Sequence, residues 1–366
     1  MKVQLGKLVN VKTGKLDANA SSINGEYPFF TCSKEPLKIS TYSYDCECVL
    51  VAGNGDLNVK YYNGKFDAYQ RTYIIEDNGC KKIYIPYLYY FMDKYVEKLR
   101  TQSIGGVIKY IKLANITDVE IVLPNFDMQR KIVDKLDKVN AVINKKKRQL
   151  ENLDLLVRSL FIEMFGDLGE DIFGDGLKLL KDVCQINPKK YNHIANIKDF
   201  LVSFVPMSAV SESGEIDTTI IKHYNEVKKG FTSFVEDDVL FAKITPCMEN
   251  GKGAIAKKLK NSVGFGSTEF HILRPLKDKS NSAWIYYLTS FYHFRKEAEI
   301  KMTGSAGQRR VPASFLENYK IALPPIELQN KFADYVSSID KSKLAVKKSL
   351  EELEILKKSL MQKYFA

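Results

Sequence analysis

The side chains best suited to chemistry in this chain are cations, amides and tyrosines in expected loops and strand ends, and the chemistry they favour is binding. Arginine and lysine can reach phosphate oxygens or the O6/N7 edge of guanine, amides can pair with adenine, and tyrosines can stack or contact sugar. The candidates are Tyr61, Tyr62, Asn63, Lys65, Gln70, Arg71, Tyr110, Lys243, Asn250, Lys252, Gln308, Arg309 and Arg310. We predict that several of them contact DNA.

Two pairs of these residues have a structural alternative. Gln70 and Arg71 could be strand neighbours held by cross-strand contacts, and Arg309 and Arg310 could brace a carboxylate near a helix junction. The formal net charge of +11 and the pI of about 9.1 favour a polyanionic partner over a surface charge that only aids solubility. The excess positive charge lies mainly in residues 1–125 and 171–325, two segments whose patterns predict globular domains.

Motifs for group transfer are missing from the sequence. An adenine methyltransferase needs a proline-proline-aromatic loop, usually opened by Asp or Asn, and a glycine-rich turn for the methyl donor. The one Pro-Pro pair, Pro324-Pro325, follows Leu323. The glycine pairs at residues 53–55 and 251–253 lack the Lys-Ser/Thr end of a P-loop and are interpreted as turns.

Residue patterns for hydrolysis or metal binding are equally weak. The acidic run at residues 236–238 before Lys243 is the nearest approach to a nuclease site, and it is more typical of a solvated turn. Six cysteines without C-x-x-C spacing and four histidines do not form a zinc motif, so reduced thiols and no metal are expected. The sequence therefore predicts a protein that binds and is not itself an enzyme.

A tandem repeat positions the candidate residues. Residues 121–165 recur without a gap at 321–365. The identical positions are Ile121, Leu123, Pro124, Gln129, Lys131, Asp134, Lys147, Leu150, Glu151, Leu153, Leu156, Ser159, Leu160 and Phe165, each matched 200 places later. Each copy has a Leu-Pro break and then about 40 residues free of Gly and Pro, which predicts a long helix.

The long helices carry a narrow apolar stripe. In the second copy the stripe includes Leu328, Phe332, Val336 and Ile339, spaced three or four apart. A stripe this narrow favours a partner helix, so we predict two long helices in an antiparallel coiled coil. The alternative is two independent amphipathic helices, each packed on its own domain.

The intervening segments have mixed strand and helix patterns. Residues 48–52 match 238–242, and residues 88–91 match 285–288, so the second segment repeats the plan of the first with longer loops. We predict an α+β protein with a first globular domain at 1–125, a long helix at 126–170, a second globular domain at 171–325 and a long helix at 326–366. Apolar runs too short for a membrane span, and no signal-peptide pattern, favour the cytoplasm.

The duplicated layout resembles the specificity subunits of type I restriction-modification systems. The resemblance covers nearly the whole chain and rests on residues 323–329 with their weaker copy 123–129, and on residues 62–73, 241–253, 265–271 and 307–312. In the first copy Asn125 replaces the second proline of the motif. That departure affects only the geometry of one helix start.

The resemblance implies that the globular domains at 1–125 and 171–325 are target-recognition domains. It implies a bipartite, asymmetric DNA site, with each domain reading one half and the helices setting the gap. It also implies two methyltransferase subunits that bring their own S-adenosylmethionine, a translocating restriction subunit, and no cofactor in this chain. Two rivals stay open: a stand-alone nuclease or modification enzyme with fused recognition domains, and a coiled-coil adaptor that binds only protein.

Overall fold

The computed structural model describes residues 2–166, 169–189, 199–305 and 307–365. It divides into two compact units, one formed by residues 1–149 with 346–366 and the other by residues 150–345. We call them unit 1 and unit 2. Both boundaries fall inside long helices, so each unit contains one sheet-rich segment and part of each helix. Among the described residues, no helix is long and apolar enough to span a lipid bilayer.

The sheet-rich part of unit 1 is built from eight strands and two helices. They are β1 (Lys2–Gln4), β2 (Val9–Thr13), β3 (Tyr27–Phe30), β4 (Leu37–Ile39), β5 (Tyr44–Ala52), β6 (Val59–Ala68), β7 (Thr72–Asp77), α1 (Ile85–Gln102), α2 (Ala114–Thr117) and β8 (Glu120–Val122). Six strands form one sheet in the order β2-β7-β5-β6-β3-β4, and β1 pairs with β8. Helix α1 starts where Pro86 predicts it, because proline is favoured in a first turn.

One local turn signal in the unit 1 sequence is overridden by strand pairing. The Asn63-Gly64 pair suggests a tight hairpin turn, but β6 runs through it without a break and pairs with β5. Gly64 lies opposite Cys46 with φ +135, a backbone conformation that glycine tolerates inside a strand. The glycine-rich residues 53–56 do connect β5 to β6, as expected.

Unit 2 follows the same plan with additional strands. Its elements between the long helices are β9 (Lys178–Leu179), α4 (Leu180–Val183), β10 (Cys184–Ile186), β11 (Leu201–Val205), β12 (Ile221–His223), α5 (Tyr224–Val227), β13 (Thr232–Val235), β14 (Val239–Ala242), β15 (Gly253–Ile255), β16 (Val263–Gly266), β17 (Phe270–Pro275), α6 (Ser282–Ser290), α7 (Tyr292–Ile300), α8 (Ala313–Asn318) and β18 (Lys320–Ile321). Two four-stranded sheets have the orders β10-β17-β14-β15 and β12-β11-β16-β13.

The predicted correspondence between the segments is confirmed by strand register. In each unit a buried strand pairs antiparallel with a strand further along the chain. The matched pairs are Val49 with Ile75 and Ala52 with Thr72 in unit 1, and Val239 with Leu273 and Ala242 with Phe270 in unit 2. The α+β class, with two sheet-rich units and two long helices, is therefore confirmed.

The long helices are α3 (Phe126–Phe165) and α9 (Ile326–Phe365), each of 40 residues. The Asn125 side chain accepts a hydrogen bond from the Met128 N–H at 2.9 Å, so it caps α3 where α9 has a proline. Helix α3 ends at Phe165, and Gly166 follows with φ +60. This backbone conformation, which favours glycine, ends the helix before residue 170, the expected end of the segment.

The two long helices contribute to the same core within each unit. In unit 1, Ile132 and Leu136 near the start of α3 share a core with Met361 and Phe365 near the end of α9. Lys147 also pairs with Glu354 across 3.5 Å.

The contacts between α3 and α9 in unit 2 follow the same pattern. There Phe161, near the end of α3, lies 5.3 Å from the ring of Phe332 near the start of α9. Lys343 pairs with Asp154 at 2.7 Å. In both units, residues near the start of one helix share a core with residues near the end of the other.

Candidate nucleic-acid interface

Three loops meet at one end of the unit 1 sheet. The Gly53 N–H donates to the Arg71 carbonyl at 2.7 Å, and the Ile111 N–H donates to the Gly53 carbonyl at 2.9 Å. The Gly55 N–H donates to the Lys109 carbonyl at 3.0 Å. A Cβ atom at residue 53 would stand 2.4 Å from the Arg71 carbonyl oxygen, so this approach requires glycine. We call this arrangement the unit 1 loop junction.

The unit 1 loop junction brings Gln70, Arg71 and Tyr110 together. All three are exposed, and Tyr110 forms isolated bridges to Asn54 and Ile104. The Gln70 amide donates to the Asp17 carboxylate at 2.9 Å. Gln70 is therefore engaged by a loop neighbour, whereas the Arg71 guanidinium projects from the surface.

Strand β6 carries four further candidates on alternating faces. Tyr61, Asn63 and Lys65 are exposed, because successive side chains of a strand point to opposite sides. The Tyr62 ring lies 5.1 Å from the ring of Phe30, in the core. Tyr62 therefore packs with the core, and the other three form an exposed polar row.

The exposed row already makes local contacts. The Tyr61 hydroxyl donates to the Glu47 carboxylate at 2.8 Å, and burial together with this bond raises the pKa of Tyr61. The Lys65 ammonium lies 4.6 Å from the centre of the Tyr42 ring. These contacts orient the side chains without covering them.

Unit 2 has a loop junction with the same hydrogen-bond plan. The Lys243 N–H donates to the Glu269 carbonyl at 2.9 Å, and the Val311 N–H donates to the Lys243 carbonyl at 2.9 Å. A further bond joins the Thr245 N–H to the Arg309 carbonyl at 3.0 Å. The equivalent positions in the two junctions are Gly53 and Lys243, Arg71 and Glu269, and Tyr110 and Arg310.

Carboxylates hold both arginines of the unit 2 junction. Arg310 donates to the two Glu269 oxygens at 2.9 and 2.8 Å, a bidentate pair that lowers the pKa of the Glu269 carboxyl. Arg309 lies 3.7 Å from Glu249, and the Gln308 carbonyl accepts a bond from Arg310 at 3.0 Å. The structural alternative for this pair, bracing of a carboxylate, describes Arg310 well.

Asn250 and Lys252 lie on the loop after β14. Asn250 is exposed, while Lys252 is half-buried and reaches the Met207 carbonyl at 3.4 Å. The buried Arg295 side chain holds this loop by donating to the Met248 carbonyl at 2.6 Å. Burial lowers the pKa of Arg295 to about 10, so the guanidinium stays charged at neutral pH.

Two residues that shape this surface could not be recognised from the sequence alone. Glu269 lies in a recognised motif, but its partner Arg310 is 41 residues away. Arg295 stands in a short helix whose pattern does not reveal that it is buried over the ring of Phe241. Within the described ranges, no group of three His, Cys, Asp or Glu side chains could hold a metal ion.

Comparison with known proteins identifies the family. The model of the type I restriction modification DNA specificity domain matches residues 1–152 and 177–355. The specificity subunit of the Escherichia coli type I restriction enzyme EcoDI is 40% identical over 156 residues, which are 43% of this chain and 34% of that protein. The corresponding EcoEI subunit, also from Escherichia coli, is 45% identical over 148 residues, 40% of this chain and 24% of that protein.

These matches span about a third or less of the length of the two relatives. The solved S subunit of a type I restriction-modification system from M. genitalium has a similar fold. It aligns with a TM-score of 0.62 at 16% identity and covers 100% of this chain and 96% of that chain.

Proposed function

Because this chain belongs to the type I restriction modification DNA specificity family, we propose that it is the subunit that selects the DNA sequence in a type I restriction-modification complex. The observation that carries the proposal is the pair of equivalent loop junctions, each at the end of a buried strand and each with different side chains. Loops on a rigid scaffold are where recognition residues are found. Different loops on one plan would read two different half-sites.

In this proposal the unit 1 half-site is read by the exposed row Tyr61, Asn63 and Lys65 together with Arg71 and Tyr110 at the loop junction. Cations in such loops position phosphates or bind guanine, and exposed amides bind adenine. Gln70 and Tyr62 contribute less, because one is paired with Asp17 and the other packs in the core.

In unit 2 the proposed contacts come from Lys243, Asn250, Lys252, Gln308 and Arg309. Arg310 has a positioning role instead. Its bidentate bond to Glu269 joins the loop before α8 to the connection between β16 and β17. The proposed half-site is therefore bound by a surface that Arg310 and Arg295 hold in shape.

The two long helices form the spacer of the proposed bipartite site, as an antiparallel coiled coil. Support comes from the contacts within each unit, where residues near the start of one helix share a core with residues near the end of the other. A helix of 40 residues is about 60 Å long, which is more than enough to span half-sites about one DNA turn, or roughly 34 Å, apart. The domains predicted at 1–125 and 171–325 are the two readers in this scheme.

The proposed partners are two methyltransferase subunits, which supply S-adenosylmethionine and the catalytic step, and restriction subunits that translocate and cut. Support comes from exposed apolar pairs that recur 200 residues apart. Leu155 and Leu156 are 58% and 50% exposed on α3, and Ile355 and Leu356 are 68% and 46% exposed on α9. Two identical partners require two like surfaces. The proposed location is the cytoplasm, where the host DNA is found.

The test is a genome-wide map of N6-methyladenine by single-molecule sequencing, in cells with and without this gene. The expected result is that one split, asymmetric motif loses methylation while other motifs keep it. Unchanged methylation, with partner subunits expressed, would contradict the proposal and favour a protein-only adaptor.

A further inference from the structure

A buried glutamine fastens the start of the first long helix to its globular segment. Gln129 is fully buried, three residues into α3. Its side-chain oxygen accepts from the Tyr84 N–H at 2.8 Å. Its amide nitrogen donates to the Lys82 carbonyl at 2.8 Å and the Pro124 carbonyl at 3.0 Å. One side chain therefore joins the residues before α1, the Leu-Pro junction and α3.

The same fastening occurs in unit 2. Gln329 is fully buried, and its oxygen accepts from the Asn281 N–H at 3.2 Å. Its nitrogen donates to the Lys279 and Pro324 carbonyls, each at 2.9 Å. We call each set of three bonds a glutamine clamp. Tyr84 and Asn281 are the N-cap residues of α1 and α6, so both clamps join equivalent points.

The clamps demand glutamine because of what surrounds them. Each uses both donors and an acceptor of a neutral amide at one side-chain length, inside a site closed to water. A carboxylate would face two carbonyl oxygens, and an apolar side chain would leave three backbone groups without the partner that the glutamine provides. The clamp therefore fixes the direction in which the helix leaves its segment.

A small error in that direction is large at the other end of the helix. A rotation of about 3° at the start of a 60 Å rod moves its far end by about 3 Å, close to the rise of about 3.4 Å per base pair of DNA. A spacer that measures base pairs thus needs stiff joints as well as a stiff rod. The two clamps lie at those joints.

We propose that Gln129 and Gln329 determine how strictly the protein selects the gap between its half-sites. The inference rests on the proposed function and adds a positioning role for two residues that touch no DNA. Removing a clamp loosens the joint, so the half-site sequences stay the same while sites with a different gap become substrates.

The experiment expresses the full chain with its partner subunits in a host that lacks adenine methylation, and reads the methylated motif by single-molecule sequencing. Gln129→Met and Gln329→Met keep the side-chain length and remove all three bonds of one clamp. The expected result is methylation of the same two half-sites at the native gap and also at gaps one base pair longer or shorter, at a tenth or more of the native level.

Controls separate the clamp from general destabilisation. Ile116→Ala removes a buried side chain of unit 1 that takes no part in a clamp, so it should lower the melting temperature and keep a single gap. If the Gln129→Met protein does not accumulate in cells, Gln129→Glu replaces it in the experiment. Glutamate keeps an acceptor for the Tyr84 N–H and loses both donors.

The outcomes distinguish the two levels of the proposal. A wild-type chain that directs no split motif contradicts the proposed function, and the role of the clamps with it. A split motif with a single gap in every glutamine variant contradicts the role of the clamps alone. Methylation at additional gaps with the Ile116→Ala protein would show that loss of stability alone relaxes the selection of the gap. That result would also overturn the role of the clamps.

Discussion

At the residue scale, polar side chains of similar type differ in whether a partner in their own unit already holds them. Arg310, Arg295 and Gln329 are all polar, and each is committed to a partner within its own unit. Arg71 and Asn63 are similar in type but exposed. The residue type can be read from the sequence, but whether the side chain is held or exposed depends on a partner far away in the chain.

The ion pair between the buried Asp238 and the partly exposed Arg274 gives a stability prediction. Asp238 is 1% exposed, and Arg274 donates to its two oxygens at 2.7 Å each. Replacing Arg274 with leucine leaves a buried carboxylate without its cation, which should lower the free energy of unfolding by about 3 kcal/mol. Urea unfolding followed by circular dichroism measures this.

A surface pair in the same region is the matched control. Lys257 pairs with Asp237, and both side chains are 56% exposed. Lys257→Ala should change the free energy of unfolding by less than about 1 kcal/mol, because exposed pairs are screened by water. Equal effects of the two substitutions would show that burial of Asp238 is unimportant.

His271 predicts a pH dependence of stability. It is 5% exposed and lies between the Val311 carbonyl, 2.8 Å from Nε2, and the Asn187 amide, 2.9 Å from Nδ1. Burial, assisted by Lys243 and opposed by Glu269 and the Val311 bond, lowers its pKa below the ordinary value of 6.5. The unfolded chain therefore binds the proton more tightly, and the stabilisation is complete above pH 6.5 and is lost as the pH falls from there towards the folded pKa.

The measurement is the melting temperature between pH 8 and pH 5. His271→Gln should reduce the fall in melting temperature below pH 6.5. An identical pH profile for wild type and His271→Gln would refute the assignment.

At the element scale, the loop junctions depend on close backbone approach. Gly53→Ala places a methyl group 2.4 Å from the Arg71 carbonyl oxygen, so the junction must open. We expect a loss of about 1–3 kcal/mol in the free energy of unfolding, as for other overpacked sites. We also expect weaker methylation at sites that carry the wild-type motif.

Gly106→Ala is the control for this prediction. A Cβ atom at residue 106 meets nothing within 4 Å, so stability should stay within about 1 kcal/mol of wild type. Chemical denaturation of both variants decides the matter: a Gly53→Ala protein as stable as Gly106→Ala would mean that the three loops are not tightly coupled.

Elements with strong local signals were predictable from the sequence. The long helices follow from uninterrupted runs after Leu-Pro, and the equivalence of β5 with β14 follows from matching apolar runs. The turn at Asn63-Gly64 fails because pairing with β5 overrides a local preference. The additional sheet of unit 2 was not predicted either, since its parallel pair of β11 with β16 joins residues 61 apart.

At the scale of the whole molecule, the repeated exposed pairs predict the composition of the proposed complex. Replacing Leu155 and Leu156 together with lysine should remove one of two methyltransferase subunits and leave the other. Size-exclusion chromatography with light scattering would then give a mass lower by one subunit.

The matched control is Val142→Lys. Val142 is 43% exposed on α3, but its counterpart 200 residues later is Ser342, so it has no apolar repeat. This variant should keep both partners. Loss of both partners from the Leu155 and Leu156 variant would contradict two independent docking surfaces.

The composition of unit 1 also determines the order in which the protein is completed during synthesis. Its core includes Met361 and Phe365, and the Phe365 ring lies 4.9 Å from that of Tyr87. At about 5–20 residues per second, a ribosome that has finished residue 149 needs on the order of 10–40 s to reach them. Unit 2 is one continuous stretch, residues 150–345, and it is complete earlier. Of the two sheet-rich segments, the one that is synthesised earlier is therefore the later to close, and its apolar surface stays open to chaperones for that interval.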